Sequence, residues 1–270
     1  MAEGAVLETP ARSVGPETPA WPRTLRGDAS IDAGTDASTE VQALLDASAE
    51  ELLELVSTAR VMLRTTVVDG ARTLHSRIAL APGVAISCLH EEHDDRPGPT
   101  LHLRVRTGDH MLAGMLAGMP DAPELRAAPR IADPTRPWHV LTPEQLEMLA
   151  RAAPLHPDEP DVRGVGGDDD LVDALCHERV RLTAALHVRD ASRSELVTGW
   201  NGLWVLGERA LHTLRVSTGS HEMALRRVVP GDIAYELTTR TAAAFHTLGA
   251  LERERAELGA GTAAGDGSRR

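Results

Sequence analysis

The first side chains whose types and spacing could do chemistry are His90-Glu91-Glu92-His93-Asp94-Asp95, two histidines three residues apart in an acidic run. Imidazole and carboxylate are common ligands of zinc and related cations, so a metal-dependent hydrolase using His90, His93 and Asp94 is one reading. The run ends in Arg96-Pro97-Gly98-Pro99, however, and reads as a solvated hairpin loop. Metal ligands usually rest on rigid elements with supporting partners, so no metal is assigned. His110 and His221 end two similar segments and suggest a shared structural role at a helix start. Cys176-His177 does not make a nucleophile and base, because sequence neighbours on a helix point apart. Cys88 and Cys176 are the only cysteines and read as reduced, buried side chains. There is no G-x-S-x-G, no Ser-His-Asp order and no Cys-x-x-Cys pair. All 28 basic residues are Arg, which excludes a phosphate-loop lysine and any lysine imine. The expectation is a protein with no catalytic residues and no cofactor.

Composition narrows the partners. The 270 residues carry a net charge of −12 and only 2% aromatics. A nucleic-acid binder needs basic grooves and stacking platforms, so none is expected. The apolar run Met111 to Met119 is about half the ~20 residues that a membrane span requires. The first residues lack the charged start and apolar stretch of a secretory signal, and the expected location is cytoplasmic.

The elements that would position any site form two similar halves. Leu103–His110 reads LRVRTGDH and Leu214–His221 reads LRVSTGSH, identical at six of eight positions. Arg60–Leu63 matches Arg179–Leu182, and Gly83–Ile86 matches Gly202–Val205. Three ordered anchors imply an internal duplication. The expected layout is a disordered tail (1–39), repeat unit 1 (40–120), a Pro-rich linker (121–137), repeat unit 2 (138–258) and a second disordered tail (259–270). Each unit reads α-β-β-β-β-α, giving an α+β fold with antiparallel sheets covered by helices. Helices are expected at 41–59, at 143–152 behind a Thr142/Gln145 capping box, at 171–178 behind the acids 168–170, after Asp109, and at 233–248. Hairpin turns are expected at Pro82-Gly83 and Asn201-Gly202. The second turn would place Trp200 and Trp204 on opposite strands.

This arrangement resembles the EspG family of type VII (ESX) secretion chaperones. The resemblance lies in Leu52 to Pro120 (ARVMLRTTVVDGARTLHSRIALAPGVAISCL…RTGDHMLAGMLAGMP) and Asp168 to Thr239 (DDDLVDALCHERVRLTAALHV…GLWVLGE…VVPGDIAYELTT). It covers about half the chain and concerns arrangement rather than a diagnostic motif. The resemblance implies a quasi-two-fold fold, no catalytic residues and a cytoplasmic chaperone for helical secreted proteins of the WXG100 or PE-PPE type. The long opening tail departs from the family pattern, so no substrate-contact residue carries over. The partner-binding edge expected from the residues themselves is the aromatic hairpin, with Trp200, Leu203, Trp204 and Val205. The alternative reading is a small-ligand sensor or transcription-regulatory protein with a pocket between the two units.

Overall fold

A computed structural model describes residues 48–70, 72–93, 100–131, 133–150, 168–189, 196–216 and 222–265. Ser48 starts the first helix, α1 (Ala49–Thr58), with a reciprocal cap. The Glu51 N–H donates to Ser48 Oγ (3.3 Å), and the Ser48 N–H donates to Glu51 Oε2 (2.7 Å). Four strands follow: β1 (Val61–Asp69), β2 (Arg72–Ala81), β3 (Val84–His93) and β4 (Thr100–Thr107). A 3₁₀ turn (Gly108–His110) leads into the short α2 (Met111–Met115). The 3₁₀ turn has Thr107 as its N-cap and α2 has His110, neither with a side-chain cap, so Asp109 lies inside the turn and not at the cap position expected for it. The expected Pro82-Gly83 turn joins β2 to β3.

The second half repeats that order as α5 (Asp169–Cys176), β6 (Val180–Arg189), β7 (Leu196–Leu206), β8 (Leu211–Val216), β9 (Met223–Val228) and α6 (Asp232–Gly265). Asp168 caps α5 by accepting from the N–H groups of Asp170 and Leu171. Between the halves lie α3 (Pro123–Arg126), β5 (His139–Val140) and α4 (Pro143–Ala150). The expected box holds α4: the Thr142 N–H donates to Gln145 Oε1 at 3.0 Å, and the Gln145 N–H to Thr142 Oγ1 at 3.3 Å.

All nine strands join one antiparallel sheet in the order β4-β3-β2-β1-β6-β7-β8-β9-β5. The fold is α+β, as expected. The halves meet where β1 pairs β6, with Val61 opposite Val188, Thr65 opposite Ala184 and Asp69 opposite Val180. Exchanging the halves leaves this pairing unchanged, because Val61 and Val180 both begin their strands. Alternation then assigns every side chain to one of two faces.

One face carries the largest core. Val61, Leu63, Val67, Leu182, Leu186 and Val188 pack there with Ile78, Leu80 and Trp204 under α2, α3 and α6. Each such burial is worth about 1.5–3 kcal/mol. The opposite face has two separate cores. Leu52 and Val56 of α1 cover Ala79, Ile86, Cys88, Leu103 and Val105. Leu171, Ala174 and Leu175 of α5, with Met148 and Leu149 of α4, cover Val205, Leu214 and Leu225.

Several expectations are corrected. Asn201 and Gly202 form no hairpin turn; they continue β7 opposite Ala185 and Ala184. Their turn preference yields to unbroken pairing with β6, which buries Trp204, Val205 and Leu206. The anchor Arg60–Leu63 and its match Arg179–Leu182 do open the first strand of each half. The others fall on different elements: Gly83 is in a turn whereas Gly202 is within β7, and Leu103 is in the fourth strand of its half whereas Leu214 is in the third. The segment 121–137 is not a free hinge, since Ala122 and Leu125 are buried in the main core and the Arg130 N–H donates to the Gly231 carbonyl (3.1 Å). Helix α6 runs to Gly265, into the stretch expected to be a tail. Residues 1–39, Asp94 and His221 lie outside the described residues, as do 41–47 of the first expected helix.

Gly231, just before α6, has φ +97°, and a Cβ there would lie 2.1 Å from the Ala128 carbonyl oxygen. Gly231→Ala is therefore expected to destabilise the protein by about 2 kcal/mol or more, by strain and overlap. Gly70→Ala, at φ +58° with nothing within 4 Å of its Cβ, should cost only about 1 kcal/mol. Urea unfolding of both variants measures the difference.

Candidate functional site

Between α1 and α5, the middle of the second face has no helix over it among the described residues. Cross-strand register lays out its floor row by row. One row runs His75, Thr66, Thr183, Leu203, Leu214; the next runs Arg77, Arg64, Ala185, Asn201; the third runs Ala79, Met62, His187, Gly199. Thr183, Gly199 and Asn201 are exposed, and Arg64, Thr66, Ala185 and His187 are half-buried. Helix α1 packs on β2 and β3, and α5 on β8 and β9. Five strand spacings of about 4.8 Å separate these two lines. Allowing for the half-widths of both helices leaves a trough about 12–14 Å wide, close to the diameter of one further helix.

On one side the trough opens into a cleft of about 860 Å³. Strands β7 and β8 pair only from Leu203 to Leu206 and from Leu211 to Leu214. Beyond these residues they diverge, so the lining draws on both faces of the sheet. Arg64, Thr66, Thr183 and His187 contribute from the trough, Leu203, Leu214 and Met223 from the wall, and Trp200 and Arg240 from the far side. Trp200 and Trp204 share that far face. Their rings stand 5.9 Å apart at 57° and close over Gly202, whose absent Cβ would meet Trp204 at 2.4 Å and Trp200 at 2.7 Å. The Trp204 N–H donates to Asp232 Oδ2 at 2.9 Å. Burial pushes the Asp232 carboxyl above its usual range, and this hydrogen bond partly opposes the rise.

The four residues expected to bind a partner therefore do not form one patch. Trp204 is 1% exposed and Val205 0%. Val205 sits in the core beneath α5, outside the cleft. Trp200, Leu203 and Trp204 do line the cleft, but from opposite faces of the sheet. Arg64, Arg77 and His187 went unread in the sequence because they lie on three different strands; only the register brings them together.

The remaining candidates have structural surroundings. His90 belongs to β3, opposite His75, with ring centroids 6.2 Å apart and 4% exposure, so it is not in a solvated loop. Among the described residues no group of three or more His, Cys, Asp or Glu could hold a metal ion. Cys88 and Cys176 are free and buried. Burial pushes the Cys88 thiol up to about 12 despite nearby Arg77, and also raises that of Cys176. His212 is fully buried on β8 against Asp173 and Asp170 of α5. Asp173 accepts from the N–H groups of Arg209 and Ala210, both at 3.0 Å, and so fixes the β7–β8 turn beneath α5. No helix of the described residues is long and apolar enough to cross a membrane.

No protein-family model matches this chain, and no curated protein is significantly similar to it.

Burial is the largest influence on His212 and lowers its pKa; Arg227 adds to this, while Asp173 and Asp170 oppose it. A histidine lowered in the folded state protonates first in the unfolded chain, so its contribution is present above about pH 6.5 and lost on acidification. Stability should fall as the pH drops below about 6.5. In His212→Gln the slope should be shallower by up to about 1.4 kcal/mol per pH unit, leaving a residual slope from His187, which is lowered in the same direction. Urea unfolding at a series of pH values checks this; an unchanged slope would show that His212 does not titrate with folding.

Proposed function

We propose that the protein is a non-enzymatic, cytoplasmic chaperone or adaptor that seats a helical segment of another protein in the trough at the β1–β6 seam. The observation that carries this reading is the trough itself. It is a sheet face about one helix wide, walled by α1 and α5, with small or short residues at Thr183, Ala185 and Gly199 along its floor. Small side chains allow a helix to approach the sheet closely, and the apolar wall at Leu203, Leu214 and Met223 gives it a surface to bury. The resemblance to EspG-type chaperones agrees with this and suggests secreted helical hairpins of the WXG100 or PE-PPE type as the partners. An internal duplication accounts for a seam whose pairing survives exchange of the two halves.

The cleft volume of about 860 Å³ also falls in the range of small-molecule sites, about 300–1,000 Å³, which is the basis of the sensor reading. The exposed floor favours the larger occupant, since small ligands are usually enclosed over most of their surface.

Filling the floor tests the proposal. Thr183→Trp places a large ring on an exposed trough position and should leave the unfolding midpoint within about 0.5 kcal/mol of the parent. Tagged parent protein should copurify with a stoichiometric helical protein from its own cell, and Thr183→Trp should lose it. Recovery of no such protein, or equal recovery by Thr183→Trp, would defeat the reading.

A further inference from the structure

The trough floor is unusual in its charge. Arg64 and Arg77 are direct cross-strand partners on one face, and His187 stands diagonally from Arg64 on β6. Like charges placed directly opposite each other on a sheet are destabilising. Arg64 Nε and His187 Nδ1 are buried and have no hydrogen-bond partner. Among the described residues no carboxylate pairs with Arg64. Several other arginines do have a carboxylate: Arg60 with Glu252, Arg72 with Glu91, Arg181 with Glu178, and both Arg215 and Arg240 with Glu236. A chain of net charge −12 with carboxylates to spare has thus placed none against Arg64.

The electrostatics point the same way. Burial, then Arg189, lowers the pKa of Arg64; burial, then Arg64 among its neighbours, lowers Arg77 to about 10; and burial, Arg64 and Arg189 lower His187. Each cation is disfavoured where it sits, and an incoming anion would relieve all three. The two halves differ here. Arg64 and Thr183 are both the fourth residue of their strands, and Arg77 corresponds by pairing to Leu203. Arg64 and Arg77 therefore lie on one side of the seam, with His187 and the apolar wall on the other.

We infer that Arg64 receives a carboxylate from an acidic, amphipathic helical segment of a protein partner, with the apolar face of that helix against Leu203, Leu214 and Met223. This rests on the docking reading above and adds the chemistry of what docks. Polyanions such as nucleic acid are disfavoured by the net charge of −12 of the whole chain, and the adjoining apolar wall matches leucines rather than phosphates.

The test uses the full chain and two labelled, alanine-based helical peptides of about 15 residues. Both carry leucines along one face; one has two glutamates a turn apart beside them, the other glutamines. Fluorescence anisotropy should show the glutamate peptide binding about tenfold or more tightly than the glutamine peptide. Arg64→Gln should erase that preference and Arg64→Lys restore part of it. Without peptide, Arg64→Gln should raise the melting temperature, because it removes an unmatched, half-buried cation; a merely structural arginine would lower it. Equal binding of the two peptides would overturn carboxylate recognition while leaving helix docking intact. Binding of neither peptide would overturn both, and so would a saturable response to glutarate alone, which would assign the cations to a small dicarboxylate.

Discussion

Nine residues of β1 set against nine of β6 are the constraint from which the rest of the molecule follows. That pairing merges two four-stranded ladders into one sheet, and alternation then distributes every side chain from β4 to β9 between two faces. A slip of β6 by one residue against β1 would carry Leu182 and Leu186 out of the main core and bring Thr183 and His187 into it. The buried apolar set on one face thus holds the cationic set on the other in place. Neither face can be redesigned without the other.

Cover is unequal on the two faces for a reason of topology. Helix α6, 34 residues and about 51 Å long, packs against β1, β6 and β7 and reaches both halves. Thr241 donates to Met115 Sδ of α2, and Glu252 pairs with Arg60. On the other side each half supplies its own cover before its first strand, α1 in one and α5 in the other. Those helices lie over the outer strands of their halves, so the seam between them stays open. The trough is what remains when two separately covered units share one sheet.

Much of the fold was legible in the sequence. The order α-β-β-β-β-α of the first half, the caps at Thr142 and Asp168 and the Pro82-Gly83 turn all rest on local chemistry, which a linear reading can reach; in the second half the expected count of four strands came from dividing β7 at Asn201-Gly202. The Asn201-Gly202 turn failed because a strong local preference met two cores at once, with Trp204 and Val205 buried on opposite faces of an unbroken β7. The LRVRTGDH match misled because identity over eight residues cannot tell a third strand from a fourth. The trough was illegible for a deeper reason. Its residues come from β1, β2, β6 and β7, alternate with core residues along each strand, and share a surface only through registers that no single segment encodes. Trp200 and Leu203, chosen for aromatic scarcity and proximity, reached the cleft without revealing that they approach it from different faces.

The position of α6 after all nine described strands also sets the order in which this sheet can be covered. Helices α1 and α5 precede the strands they cover, so the two smaller cores can close as synthesis proceeds. The apolar face formed by Val61, Leu63, Ile78, Leu182 and Leu186 has to wait for Ile233, Leu237 and Ala244 to emerge. For most of translation the growing sheet presents its most hydrophobic surface bare, the condition in which partly folded chains associate. Native structure is therefore gated by a helix made after every strand it covers, and a chain cut short before α6 loses cover from the face that holds both halves together.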